Sequence, residues 1–186
     1  MQTIVLPIEH NRLYTYADYY ALNDDKRYEV MEGTLMMVPA PTTRHQRILW
    51  KISHRLGGFV SDSGLGEVFD APTDVVLSND VVVQPDILYI SKERAGIISE
   101  QAVMGSPDLV VEIISPSSSF NDSVRKKAIY QRFGVKEYWI VFPDEKAIEV
   151  MTLEDGLYKE FFSAKDEGVV RSKLLDGFEV DLKGVF

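Results

Sequence analysis

Two Pro-Asp pairs, Pro85-Asp86 and Pro107-Asp108, and Glu112 inside the apolar run Leu109-Val110-Val111-Glu112-Ile113-Ile114 are the residues most suited to chemistry. Carboxylates on neighbouring strands can share Mg²⁺, a hard cation typically held by one or two carboxylates plus substrate phosphate. Such an ion polarises a phosphodiester and makes a bound water a better nucleophile. Strand side chains alternate, so Asp108, Val110, Glu112 and Ile114 share a face. Yet Asp108 lies ~13 Å from Glu112 at ~3.3 Å per residue, too far to share one ion. Asp86 belongs to a different strand and can lie beside Glu112. Asp86 and Glu112 are therefore the expected metal pair, and Asp108 is the expected strand-entry residue. A second reading stands beside this one. Glu112 is flanked by apolar residues, a carboxylate is costly to bury without a cation, and an Arg or Lys would serve as well as a metal.

The nearest basic run is Arg125-Lys126-Lys127. On a helix advancing about 100° per residue from Val124, Ile129 falls near 140°, Phe133 near 180° and Tyr130 near 240°. Lys126 falls at about 200°, in the middle of that apolar arc, with Arg125 and Lys127 on its flanks. An inward lysine needs an anion, and Glu112 is the candidate. The alternative is a lysine whose stem packs on the sheet while its head reaches water. Tyr130, one turn beyond, is placed to position Lys126 or a phosphate.

At these residues a family resemblance appears. Val83-Gln84-Pro85-Asp86-Ile87, Pro107-Asp108-Leu109-Val110-Val111-Glu112-Ile113 with Ser115-Pro116-Ser117, and Asp122…Lys126…Tyr130…Gly134-Val135…Glu137-Tyr138-Trp139 closely resemble the Uma-type endonucleases. These are bacterial members of the PD-(D/E)XK superfamily. The resemblance extends from Tyr28-Glu29 and Glu32-Gly33, through His45-Gln46 and Ala71-Pro72-Thr73-Asp74-Val75, to the Trp139 strand. It implies an α/β (α+β) restriction-endonuclease-like core, a mixed central sheet flanked by helices, here with an extra N-terminal hairpin. It implies that Asp86 and Glu112 bind Mg²⁺, with Mn²⁺ as a substitute, for hydrolysis of DNA phosphodiesters. In the wider superfamily a lysine follows the Glu by two residues. Ile114 stands there in this chain, and the resemblance implies a lysine relocated to the helix, which maps onto Lys126. Nucleases of this fold often work as homodimers, so DNA and a second copy are the expected partners.

The elements that must position these groups are legible in outline. Thr15 is expected to cap a short helix through Leu22, after a loose arm over residues 1–14. Residues 28–38 read as a hairpin turning at Glu32-Gly33. Ile48, Leu49, Ile52 and Leu56 have helical spacing, with Gly57-Gly58 as the expected stop. Strand-like runs follow at 67–71, 74–78, 85–91 and 108–115. Ser119-x-x-Asp122 has the form of a capping box opening a helix through about Phe133. Residues 137–143 and 147–153 read as a further hairpin, and Phe178–Leu182 as a last short strand. The order suggests one domain over 1–186, a mixed sheet flanked by helices.

Several other residues carry two readings. His45 lies within the apolar arc of its helix and reads as a core histidine or, with Gln46, as a residue lining the cleft. Glu32 belongs to a turn, solvated or cleft-lining. Asp74 is expected to bond the backbone. Arg44, Arg47, Lys51 and Arg55 form one stripe on a helix that has no acidic residue between Arg44 and Phe59. That stripe is either a phosphate-contacting strip or a solvated face. Trp50 and the Tyr-Ala-Asp-Tyr-Tyr aromatics could stack on bases or pack in a core.

Composition constrains the rest. There is no cysteine, which excludes disulfides, thiolate catalysis and Cys-type metal sites. No signal peptide or membrane-length apolar run is apparent, so a cytoplasmic protein without membrane contact is expected. A net charge of −9 disfavours casual nucleic-acid binding, since phosphate attraction needs cations. Three function classes follow: a Mg²⁺-dependent DNA endonuclease, a non-catalytic binding or assembly module on the same fold, and a nuclease acting on RNA.

Overall fold

In the central strands, alternation sorts every side chain onto one of two faces. The computed structural model describes residues 12–22, 24, 26–114 and 120–186, with backbone alone at 120–123. Within β6 (Ile87–Ser91), β7 (Leu109–Ile113) and β8 (Glu137–Phe142), the odd-numbered Ile87, Tyr89, Leu109, Val111, Ile113, Trp139 and Val141 pack on one side. Leu88, Ile90, Val110, Tyr138 and Ile140 pack on the other. These strands form the centre of a six-stranded mixed sheet of order β10-β9-β8-β7-β6-β3, in which β3 is Gly66–Asp70, β9 Ala147–Glu154 and β10 Leu157–Lys165. The β7–β8 pair is parallel and the others are antiparallel. With both faces covered, such strands read as continuous apolar runs.

The first face is covered by α2 (Thr43–Asp62), through Ile48, Leu49, Ile52, Leu56 and Val60. Burying each such side chain contributes roughly 2 kcal/mol. Thr42 caps the helix by accepting from the His45 amide. The helix passes through Gly57 and Gly58 to end at Asp62. A helical glycine costs about 1 kcal/mol relative to alanine, and two of them are offset by the burial of Val60 and the packing of Phe59 beyond. The C-terminal strands β11 (Val169–Arg171) and β12 (Glu179–Asp181) pair antiparallel and pack on this face through Val170 and Val180.

The second face carries α3 (Phe120–Arg132) and a separate four-stranded sheet. Its order is β2-β1-β5-β4, with β1 Arg27–Met31, β2 Thr34–Val38, β4 Val75–Ser78 and β5 Val81–Val83. The 74–78 run, expected among the main strands, thus belongs to this smaller sheet. It turns back at Asn79-Asp80 into β5, too short a strand to be apparent in the pattern. The Glu32-Gly33 turn has positive φ at both residues, as a two-residue hairpin requires. In β1, Met31 faces the large sheet, whereas Tyr28 and Val30 join Tyr14, Leu35, Val76 and Val82 in an outer core. Tyr14 is accordingly buried, not part of a loose arm. Thr15 caps α1 (Tyr16–Tyr20) in a reciprocal capping box with Asp18. The Ser119-x-x-Asp122 box and Ser115-Pro116-Ser117 lie outside the described residues and side chains. No helix among the described residues is long and apolar enough to cross a membrane.

Candidate active site

Antiparallel pairing of β6 and β7 sets Ile87 opposite Val111, which brings Asp86, one residue earlier, level with Glu112. Both side chains have the parity of Leu88 and Val110, and both therefore face α3 and the small sheet. Residues from β1, the start of α2, the β5–β6 junction, the end of β7 and α3 enclose a cavity of about 220 Å³ there.

Each carboxylate is held by specific donors. Asp86 Oδ2 accepts from the backbone amide of Ile113 at 2.7 Å and lies 3.2 Å from His45 Nε2. Glu112, 8% exposed, accepts from Tyr130 Oη at 2.6 Å and from Lys126 Nζ at 3.0 Å, both at Oε1. Lys126 therefore points inward, as helical arithmetic places it. Its second partner is Glu29, whose Oε1 lies 2.8 Å from Nζ. Tyr130 donates to Glu112 and not to Lys126, so it fixes the carboxylate instead of the ammonium.

The charges set one another's protonation. Burial pushes the Glu112 carboxyl up to about 7; Lys126 opposes this, while Asp86 and Glu29 reinforce it. For Lys126, burial acts downward, but Glu112 and Glu29 outweigh it and hold the amine firmly protonated. Burial likewise disfavours the charged form of His45, and Asp86 outweighs it, raising the imidazole above its usual value. Tyr130 is driven well above its ordinary range by burial and by Glu112. It serves as a neutral donor.

Would this site accept Mg²⁺? Among the described residues no three His, Cys, Asp or Glu side chains gather tightly enough to hold an ion unaided. A two-carboxylate site completed by water and substrate oxygen is, however, what Mg²⁺ commonly uses. Three carboxylates, Glu29, Asp86 and Glu112, line one cavity with Lys126 and His45. Both hydrogen bonds of Asp86 fall on Oδ2, so Oδ1 has no bonded partner among the described residues. Among the described residues, His45 Nδ1 and Tyr138 Oη are buried without hydrogen-bond partners, and both residues line the cavity. Buried polar atoms of this kind ask for a further polar occupant. The donor set fits a hydrated divalent ion on Asp86 and Glu112.

The remaining expectations divide. His45 and Gln46 line the cavity, and His45 is an anchor of Asp86 more than a core histidine. Glu32 does not line it. The turn carries Glu32 to the outside of α3, where it pairs with Arg132 at 2.8 Å and Arg125 at 3.5 Å. Glu29 occupies the acidic position in its place. The missed signal was alternation in Arg27-Tyr28-Glu29-Val30-Met31: the odd residues line the cavity and the even ones enter the outer core. Asp108 is wholly buried and tied to Arg94, Lys136 and the Ser91 amide, at the entry to β7. Asp74 bonds the side chains of Tyr19 and Gln84 rather than backbone.

On α2, Arg44 pairs with Asp144, Lys51 donates to the Val185 carbonyl, and Arg55 donates to the Lys51 carbonyl. Three of the four stripe cations are thus engaged within the protein, and Arg47 makes no such bond among the described residues. Trp50 is exposed and stacks on His54.

Comparison with known proteins gives a family and a fold. A family profile described as "Uma2: Putative restriction endonuclease" matches residues 13–183. A crystal structure described as a putative nuclease belonging to DUF820 from Anabaena variabilis superposes with a TM-score of 0.78 at 18% identity. The match covers 92% of this chain and 97% of that one, a likeness of fold. No curated protein matches the sequence.

Proposed function

The chain belongs to the Uma2 family of restriction-endonuclease-like proteins, and on that premise we propose that it is a Mg²⁺-dependent endonuclease acting on DNA. The observation that carries the reading is the meeting of Asp86, Glu112 and Lys126 in one cavity, from three different elements. Asp86 and Glu112 would hold the ion, with Mn²⁺ as a substitute. When bound, the ion would polarise the scissile phosphate and lower the pKa of a coordinated water.

The chain's own residues supply the rest. Hydrolysis forms a bond from water oxygen to phosphorus, breaks the ester P–O bond, and leaves the proton on the departing oxygen. Glu112 and Glu29 favour the protonated form of Lys126. Its ammonium orients the attacking water and stabilises charge developing on the phosphate. Tyr130 holds Glu112 Oε1 by hydrogen bond, and His45 holds Asp86 Oδ2. Glu29, on β1, holds Lys126 Nζ at 2.8 Å. Two copies acting together would cut both strands of a duplex, and size-exclusion chromatography with light scattering tests for that homodimer.

The deciding experiment incubates purified protein with Mg²⁺ or Mn²⁺ and single-stranded, double-stranded or branched DNA, and in parallel RNA. Metal-dependent DNA cleavage abolished by Asp86→Ala is the expected result. Cleavage that survives Asp86→Ala sinks the site assignment. Cleavage of RNA alone reassigns the substrate. An inactive wild type whose Mg²⁺ binding heat does not depend on Asp86 and Glu112 favours a non-catalytic module.

A further inference from the structure

Arg27 is a cation of the cavity that no carboxylate neutralises among the described residues. It opens β1, on the same face as Glu29 and Met31, and all three line the cavity. Lys126 is shared between Glu29 and Glu112, and His45 rests on Asp86. Arg27 has a different kind of partner: its Nε donates to Gln84 Oε1 at 3.0 Å. Neither terminal guanidinium nitrogen, Nη1 or Nη2, has a bonded partner among the described residues.

The hold on Nε is unusually well determined. Gln84 Nε2 donates to Asp74 Oδ1 at 2.8 Å and to Tyr19 Oη at 3.2 Å. An ionised aspartate only accepts, so the amide of Gln84 must turn its nitrogen to Asp74 and its oxygen to Arg27. The Gln84 backbone amide also donates to Glu29 Oε1. One nearly buried glutamine therefore positions Arg27 and anchors the carboxylate that anchors Lys126. Arg27 is half-buried, and a partly buried guanidinium is commonly paired with a carboxylate. Here the fork is oriented through a neutral amide, and the full charge of the guanidinium remains for a ligand.

From this arrangement we propose that Arg27 binds a backbone phosphate of the nucleic-acid substrate beside the scissile one. The proposal rests on the nuclease reading for the identity of the ligand. Its chemical logic is electrostatic. Glu29, Asp86 and Glu112 gather negative charge in the cavity of a chain whose net charge is already −9. A polyanion entering there needs a cation not already spent on those carboxylates. A guanidinium presents two parallel donors that match phosphate oxygens, which an ammonium cannot do. Three of the four α2 stripe cations are turned to partners within the protein, which leaves Arg27 the better-placed contact near the chemistry.

The test measures fluorescence anisotropy of a labelled DNA duplex over a salt series, with Ca²⁺ replacing Mg²⁺ to suppress cleavage. Each lost phosphate contact lowers the slope of log K against log salt by about 0.9 on duplex DNA. Arg27→Ala is expected to weaken binding roughly tenfold, about 1.4 kcal/mol, and to lower the slope by about one contact. Arg27→Lys should keep the slope while losing part of the affinity, because the charge remains and the fork does not. Calorimetry should show that Mg²⁺ binding persists in Arg27→Ala, which separates a lost contact from a collapsed site. An unchanged slope in Arg27→Ala overturns the proposal, as does a wild type that binds no DNA. A wild type that binds with an Arg27-dependent slope yet cuts nothing overturns the nuclease reading alone. A wild type that cuts while Arg27→Ala keeps its slope leaves that reading intact and removes this one.

Discussion

Lys126 and Glu112, fourteen residues apart in sequence, meet at 3.0 Å between α3 and the end of β7. Ile114, two residues after Glu112, offers no such cation. Lys126→Met should therefore lower single-turnover cleavage about 10²-fold at saturating Mg²⁺, as loss of a preorganised electrostatic donor does. It also leaves Glu29 and Glu112 buried without their cation, which costs on the order of 3 kcal/mol in metal-free urea unfolding. Cleavage at the wild-type rate in Lys126→Met would remove Lys126 from the chemistry.

The raised pKa of Glu112, about 7, predicts how stability depends on pH. Between its unfolded value of 4.5 and about 7, the folded state binds more protons than the unfolded state. Stability therefore falls as pH rises through that window, and the contribution is lost above it. Glu112→Gln should remove this part of the slope, so its metal-free stability gains on the wild type from about pH 5 to about pH 8. A divalent ion competes with the same proton, and Mg²⁺ affinity should climb over the same range. Parallel stability–pH curves for the two proteins would contradict the account.

His45 contacts Asp86 at 3.2 Å and bonds nothing else at its buried Nδ1 among the described residues. Partners that orient a ligand carboxylate commonly change metal affinity by 10–100-fold. His45→Ala is expected to weaken Mn²⁺ binding about tenfold by calorimetry while leaving Asp86 in place. Unaltered affinity would mean that the Ile113 amide alone orients Asp86.

Asp108 belongs to the other Pro-Asp pair and has a separate role. Its buried carboxylate ties the Ser91 amide to Arg94 and Lys136, and these partners hold its pKa below the ordinary value although burial acts upward. Asp108→Ala should cost about 2 kcal/mol of unfolding free energy, chiefly by leaving a donor unsatisfied. Its Mg²⁺ affinity should match the wild type. A loss of metal binding in folded Asp108→Ala would reverse the assignment of the two aspartates.

Much of the site was legible because it rests on short-range geometry. The rise along the strand excluded Asp108 as a partner of Glu112 and left Asp86 on the neighbouring strand, and 100° steps turned Lys126 inward. The same reasoning failed at Gly57-Gly58, where burial of Val60 outweighs two glycine penalties, and at Glu32, which the hairpin turn carries to the outer side of α3. It also gave Asp74 a backbone partner where the structure gives it Tyr19 and Gln84, and it did not find the bond from Tyr130 to Glu112, since a side chain's bond depends on what lies across from it.

What the sequence determined alone was the periodic part: Glu112 shares a face of its strand with Val110, and Lys126 lies within the apolar arc of its helix. Only the tertiary structure decided what closes over them. The β1–β2 hairpin joins the small sheet by pairing β1 with β5, and that packing brings Glu29 and Arg27 into the cavity. No local pattern encodes the choice, because it depends on contacts between Arg27 and Gln84, 57 residues apart, and between Glu29 and Lys126, on different elements. Periodicity orients a side chain about its own strand or helix axis; the free energy of burying whole faces decides which of those axes meet.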